Sequence, residues 1–478
     1  MSESQLTERA EDAGGAGYRY RWLVLVLVLV ADVMDMVDAT VANLAGPSIR
    51  ADVGGGESTL QWVLAGYTLA FAVGLVTSAR AGDVVGRRTM FLTGMIGFTV
   101  FSGCAALAPT AWSLVAARVL QGAFGAVMIP QGFAFLKQVF PPHELRKAFI
   151  PFGPAMALSA VLGPILAGVL IDLDLWGLGW RLVFAINLPI GLVATVLAVR
   201  YLPDTPRDPE ARLDPVGSAL LTVSSALLIY PLVQGRELGW PWWTFVMLLA
   251  AGAGLALFAV GERRSEHPVI EPSLFRHRAF VAGLGFMVAF FVAMNGFMLV
   301  ANLFVQLGLG RGPLQAGLAM TPMAVGIALG ATVTGALLAE RLGRRLIHAG
   351  ALGAAVGLVV LWWTLGQQGP DVSVWHLAPG LFLTGLGSGA IFVPLFDYVV
   401  AGLDERQVGT GSGVLNACQQ FSGALGVAVL GTVFFHWLPE LGWVEATRHL
   451  LWIAAAGYLV AFAAVFALPT KPRQAESA

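Results

Sequence analysis

Charge is what this sequence has least of. Asp, Glu, Lys and Arg make up 12% of its 478 residues, where soluble domains carry about 25%. With 57% hydrophobic residues and a mean hydropathy of +0.75, a soluble globular fold is excluded. Cysteine is nearly absent: Cys104 and Cys418 lie apart in apolar runs, which excludes a disulfide framework and offers no metal-ligand spacing. A net charge of −1 gives no bias toward nucleic acid. The spans contain no HExxH or GxSxG, and no GxxxxGK[ST] loop for ATP drive, so no enzyme chemistry and no cofactor or metal is expected. Residues 1–18 are polar and lack the apolar core of a secretory leader, so the first apolar run is expected to stay as a membrane span.

What is there is a series of apolar runs. A span needs about 20 such residues, and fourteen helices can be placed. Six start near Arg19, Ser58, Arg88, Ala111, Lys147 and Arg181. Two occupy Leu213 to Gln234 and Trp242 to Gly261, and six more start near Arg278, Leu314, Arg345, Trp375, Val408 and Thr447. The division that follows is a tail (1–18), a six-helix bundle (19–202), a linker (203–212), two inserted helices (213–261), a linker (262–277), a second six-helix bundle (278–468) and a tail (469–478). Basic residues gather in alternate loops, among them Arg80, Arg87 and Arg88, then Lys137, Arg146 and Lys147, then Arg263, Arg264 and Arg276. That asymmetry predicts both termini in the cytoplasm. GDVVGRR at Gly82 to Arg88 returns as ERLGRR at Glu340 to Arg345, eight helices later. Two six-helix repeats around a two-helix insert give this offset, a known transporter plan. Trp242, Trp243, Trp362, Trp363 and Trp375 cluster near helix ends and read as an aromatic belt against membrane lipids.

Within the first span, Asp32, Asp35 and Asp38 stand at i, i+3 and i+6, inside a sector of about 120°. A carboxylate in hydrocarbon is costly and marks function. Counting at 1.5 Å per residue puts Asp38 roughly 9 Å from the outer end of its helix and Arg118 roughly 10 Å from the outer end of the fourth. Matching depth predicts an Asp38–Arg118 salt bridge, either a static clamp or a coupling pair in which protonation of Asp38 frees Arg118. Asp32, near mid-membrane, and Asp35 have no cation of their own in a span. Such an acid either exchanges a proton near neutral pH or faces a water-filled cavity and sets its potential.

Several motifs, taken in order, resemble the major facilitator superfamily, and within it the fourteen-helix drug:proton antiporters. They are VDATVANLAGP from Val37, QWVLAGYTLA from Gln61, ARAGDVVGRR from Ala79, RVLQGAFGAVMIP from Arg118, GPAMALSAVLGPILAGVL from Gly153 and WRLVFAINLPIG from Trp180. The resemblance implies an all-α polytopic membrane protein of the major facilitator fold, with two six-helix bundles and a two-helix insert. It implies export of an amphipathic small molecule in exchange for protons, or of one dedicated metabolite or lipid on the same scaffold. It further implies a cytoplasmic latch at Asp83, Gly86, Arg87 and Arg88, and an antiport helix kinked and thinned by Gly153, Pro154, Gly163, Pro164 and Gly168. Gln121, Asn416, Gln419 and Gln420 are candidate cavity residues, with interhelical hydrogen bonding as the alternative. Ala79 replaces the usual glycine of the loop motif, and Gln419 stands where relatives often carry arginine. A monomer in a bacterial plasma membrane is expected, since scarce lysine against abundant Gly, Ala and Arg suits a GC-rich genome.

Overall fold

The computed structural model describes residues 18–468, apart from 142–143, 145–146, 149–150, 205–213, 266–270, 334–341 and 401–404. Its long elements are helices: α1 Arg21–Val53, α2 Glu57–Val85, α3 Arg87–Ala106, α4 Ala111–Val139, α5 Phe152–Leu173, α6 Arg181–Tyr201, α7 Pro215–Gln234, α8 Trp242–Glu262, α9 Arg278–Leu303, α10 Pro313–Val333, α11 Arg344–Gln368, α12 Val374–Val400, α13 (405–441) and α14 (443–464). The last two run on continuously except at Gly442, whose φ of +71° breaks them. Among the described residues, ten stretches are long and apolar enough to cross a membrane by length and composition. One of them, Gly413–Ala467, contains both α13 and α14.

Local chemistry sets the ends. Thr110 and Ser113 form a reciprocal capping box at the start of α4. The Asp214 carboxylate accepts from Gly217 N at 2.9 Å to start α7, with Pro215 in the first position, where its missing N–H costs nothing. Gly86 alone separates α2 from α3 at φ +105°, a backbone that side-chain-bearing residues rarely adopt. The fifth helix begins at Phe152 and not near Lys147. Pro151 has no N–H to continue an earlier helix, and its carbonyl starts the new one by accepting from Ala155 N.

Among the described residues, the ends that follow odd-numbered helices lie on one face of the bundle (the odd-loop face) and those that follow even-numbered helices on the other. α1 packs on α4, α5 and α6, and α3 lies against α4 and α6. In the second half α12 packs between α10 and α11, and α9 lies along α13 and α14. α7 and α8 pair with each other, and α7 docks on α2 and α13. The halves meet along two seams, α2 with α13 and α5 with α10. Gln61 of α2 donates to Val427 O (3.2 Å). Asn302 and Gln306, at the end of α9, donate to Asn43 O and Leu44 O of α1 (2.7 Å each). These bonds lie toward the odd-loop face.

Candidate functional site

The aspartates of α1 point into the N-terminal half and meet three different environments. Asp38 is wholly buried and ion-paired with Arg118 of α4, itself 0% exposed. Two burial penalties of this size need more than one bond, and more are present. Gln121 Nε2 donates to the other Asp38 oxygen at 2.9 Å, Asn187 Nδ2 of α6 donates to that oxygen at 3.0 Å, and Arg118 donates to Gln121 Oε1 at 2.7 Å and to Val63 O at 3.3 Å. Asn187 also donates to Ser102 Oγ at 3.0 Å, and Ser102 to Phe184 O at 2.9 Å. Four helices, α1, α3, α4 and α6, are thus tied to one carboxylate, with the Val63 carbonyl adding α2.

Asp35 is also buried, and its partner is neutral: the Tyr67 hydroxyl of α2 donates to it. The ring of Tyr67 lies under the Arg118 guanidinium, Cζ 4.1 Å from its centroid, a cation–π contact strengthened by the absence of water. One tyrosine therefore touches both acids' surroundings, holding Asp35 by its hydroxyl and supporting Asp38's counter-ion by its face. Asp32 differs from both. It is half-buried, has no hydrogen-bond partner among the described residues, and borders a small crevice lined by Val28, Phe91, Ile129 and Gly132 between α1, α3 and α4.

Gln121 sits at 0% exposure in the charge network, hydrogen-bonded between helices. Its i+3 spacing from Arg118 is the sequence signal for this, since it puts both on one face of α4. Tyr67, Asn187 and Ser102 are network members that the sequence reading did not single out. Tyr67 and Asn187 lie inside the quoted segments QWVLAGYTLA and WRLVFAINLPIG, but no period or charge marks either.

At the even-loop face, Gly86 makes the sharp turn and Arg87 is half-buried. Arg88 pairs with Asp204 (2.6 Å) and donates to Val199 O (2.5 Å), both beyond or on α6 in its own half. The Asp83 side chain lies outside the described residues. So does Glu340, while Arg344 donates to Leu468 O at 2.8 Å.

Gly153 and Pro154 fall in the first turn of α5, a position that tolerates proline; the other three motif residues lie at its contacts. A methyl added at Gly163 would stand 2.5 Å from Thr40 Oγ1 of α1. At Gly168 it would stand 2.9 Å from Leu314 N and from Pro313 O of α10, and Gly317 of α10 presses equally on the Pro164 carbonyl. The α5–α10 seam is backbone against backbone, as small residues permit.

Asn416 is exposed, and Gln419 and Gln420 are half-exposed on α13 without described partners. A separate cavity of about 300 Å³ opens between α10 and α12 at the odd-loop face, lined by Arg311, Gln315, Pro322 and Trp375 among others, away from the charge network. No group of His, Cys, Asp and Glu among the described residues is arranged to hold a metal.

The chain is similar to several known proteins. The "Probable actinorhodin transporter" of Streptomyces coelicolor is 46% identical over 435 residues, covering 89% of this chain and 75% of that protein. The "Puromycin resistance protein pur8" of Streptomyces alboniger is 35% identical over 408 residues, 84% of this chain and 80% of that one. The "Multidrug resistance protein Stp" of Mycobacterium tuberculosis is 31% identical over 408 residues, 85% and 74%. In fold alone, at 15% identity, the chain is similar to a crystal structure of a POT family transporter, with a TM-score of 0.68 over 91% of this chain and 94% of that one. The family model described as Major Facilitator Superfamily matches residues 28–427, and with that match and relatives of this identity, the chain belongs to the Major Facilitator Superfamily.

Proposed function

We propose that the protein exports an amphipathic organic compound across a bacterial plasma membrane in exchange for protons. The observation that carries this reading is the buried chain Asp35–Tyr67–Arg118–Asp38 beside an unpaired Asp32. A carboxylate in a span with no counter-charge gains and loses a proton more readily than one held by a guanidinium. Asp32 is therefore the first proton acceptor and Asp35 the second. Tyr67 passes the change in Asp35's charge to the Arg118–Asp38 pair. The relatives named for export and resistance support a small-molecule cargo. The odd-loop face is extracellular, the termini are cytoplasmic, the two six-helix bundles move about the α5–α10 seam, and a monomer is the working unit. Asn416, Gln419 and Gln420 face the cargo, and the Asp83–Arg88 segment secures the cytoplasmic side in the other state of the cycle.

A narrower cargo range is the second reading. It is favoured by the higher identity to a relative named for one compound (46%) than to one named for multidrug resistance (31%).

The test is reconstitution in proteoliposomes with an imposed pH gradient. Compound movement should follow the gradient and stop with a protonophore, and Asp32→Asn should remove the dependence. Movement that persists after the gradient collapses would overturn proton exchange. Movement restricted to one compound in a panel would select the narrower range.

A further inference from the structure

The inserted pair α7–α8 has no counterpart in a six-plus-six repeat, and although α7 packs on both α2 and α13, its polar contacts are unevenly divided. Its connecting turn reaches across the odd-loop face to both halves. On the N-terminal side, α2 starts after Gly56, which has no side chain to cap the exposed N–H groups. The insert supplies the cap. The Glu237 carboxylate accepts from Ser58 N at 2.8 Å and from Ser58 Oγ at 2.7 Å, a favourable charge at a helix N-terminus. Arg236 is ion-paired with Glu57 of the same turn. Trp62 donates to Gln234 Oε1 at 3.3 Å and lies against the Tyr230 ring, centroids 5.9 Å apart. On the C-terminal side the polar attachment is thinner. Thr432 Oγ1 of α13 donates to Leu232 O at 2.5 Å, and the Arg236 guanidinium sits 5.8 Å from the Phe435 centroid. Leu232 lies two residues before the end of α7, so its carbonyl is one of the last four, which a helix leaves without an internal donor. Between these two attachments runs the α2–α13 seam, closed by Gln61 on Val427 O.

We infer that the insert is a clasp on the outer gate: it is carried by α2 through Glu237, Arg236 and Gln234, and it holds α13 through Thr432 and Phe435. When the halves part on the odd-loop face, the thinner attachment releases and the insert travels with the N-terminal half. The strength of the Thr432 contact then sets how long the gate stays shut. This rests on the alternation of the two halves, and not on the cargo or the proton.

The experiment uses the full chain in liposomes with Cys104→Ser and Cys418→Ser, and Asn43→Cys as a reporter inside the closed seam of α1 and α9. Thr432→Val keeps the shape and removes the donor; Thr432→Ser keeps the donor. Labelling of the reporter by an impermeant maleimide from the odd-loop face should rise about fivefold in Thr432→Val, the scale of one net hydrogen bond, and stay at the parent rate in Thr432→Ser. Equal rates in all three overturn the clasp. Spin-label distances from Leu238→Cys to Ala51→Cys, and from Leu238→Cys to His436→Cys, supply the second arm. The first should be unchanged by Thr432→Val and the second should lengthen. The reverse pattern overturns the assignment of the insert to the N-terminal half. Loss of proton-driven movement with the labelling pattern intact would count against the proposed exchange alone.

Discussion

The interiors of the two halves differ in kind. The N-terminal half buries two carboxylates, a guanidinium, Gln121, Asn187 and Tyr67 in one connected group. At the corresponding depth the C-terminal half packs Phe286, Phe290, Phe291 and Tyr458, with neutral bonds such as Ser388 to Tyr458 at 2.9 Å. Among the described residues its buried polar groups are hydroxyls, amides and no charge: Asn302, Gln306, Thr384, Ser388, Ser422 and Thr447. Two bundles that share a fold therefore divide the labour. In the proposed exchange, one holds the groups whose charge changes, and the other is an apolar body against which that change is registered. An acid that takes donors from α4 and α6, and through Asn187 reaches Ser102 of α3, reports its ionisation to all of them at once, whereas a phenylalanine cluster has nothing to report.

The division is open to attack, first at its strongest point. Arg118→Ala leaves Asp38 buried without a counter-charge and should cost about 3–5 kcal/mol, seen as poor yield and a lowered unfolding midpoint in detergent. Adding Asp38→Ala should restore the midpoint but not proton-driven movement; recovery of both would reduce the pair to a clamp. Next come the acids without a cation of their own. Asp32→Asn and Asp35→Asn should leave the midpoint within a few degrees and lower gradient-driven movement by an order of magnitude or more. Wild-type rates in both would place the proton site elsewhere. Tyr67→Phe is finer, because it keeps the ring under Arg118 and removes only the bond to Asp35. A several-fold loss of coupled movement is expected, while Tyr67→Leu should also lower the midpoint by the value of the lost cation–π contact, about 1–2 kcal/mol. In the C-terminal half, Ser388→Ala should cost about 1 kcal/mol in stability and nothing in the pH dependence of movement. A changed pH profile there would break the comparison.

The smallest expected effect lies at the surface. Hydrogen bonds from Arg181, and then from Trp180, hold the Asp52 carboxyl below the usual carboxylate range. An acid lowered in the folded state stabilises it above the unfolded-state value and loses that contribution as pH falls through the lowered one. Unfolding of wild type and Asp52→Asn at successive pH values should therefore differ near neutrality, by less than about 1 kcal/mol for so exposed a pair, and converge in acid.

Much of this was legible in the residues. Apolar run length places helix starts within a few positions, as at Arg278 for α9 and Ala111 for α4, because burial in lipid leaves little choice of where a span begins. Rise per residue suffices to match Asp38 with Arg118 in depth. Rotation about the helix axis is harder to read. Three acids in one sector suggest a shared cavity wall, yet a turn of the helix aims Asp35 at Tyr67, Asp38 at α4 and α6, and Asp32 at a crevice. Neutral partners such as Asn187 and Ser102 carry no sequence signal, because what makes them significant is the neighbour they meet. The proposed clasp is hidden for a related reason: Gln234 reads as an ordinary helix end and Arg236 and Glu237 as loop residues until α2 is found to begin beneath them.

The glycines of the α5–α10 seam have a mechanical consequence. Where side chains interlock, two helices that slide must first lift every knob out of its hole, and the motion proceeds in steps of a turn. Gly168 against Leu314, and Gly317 against the Pro164 carbonyl, leave no knobs to lift. In the proposed cycle these crossings are a plain bearing, so the two bundles slide there on backbone and the timing of their rocking passes to the polar contacts at the rims.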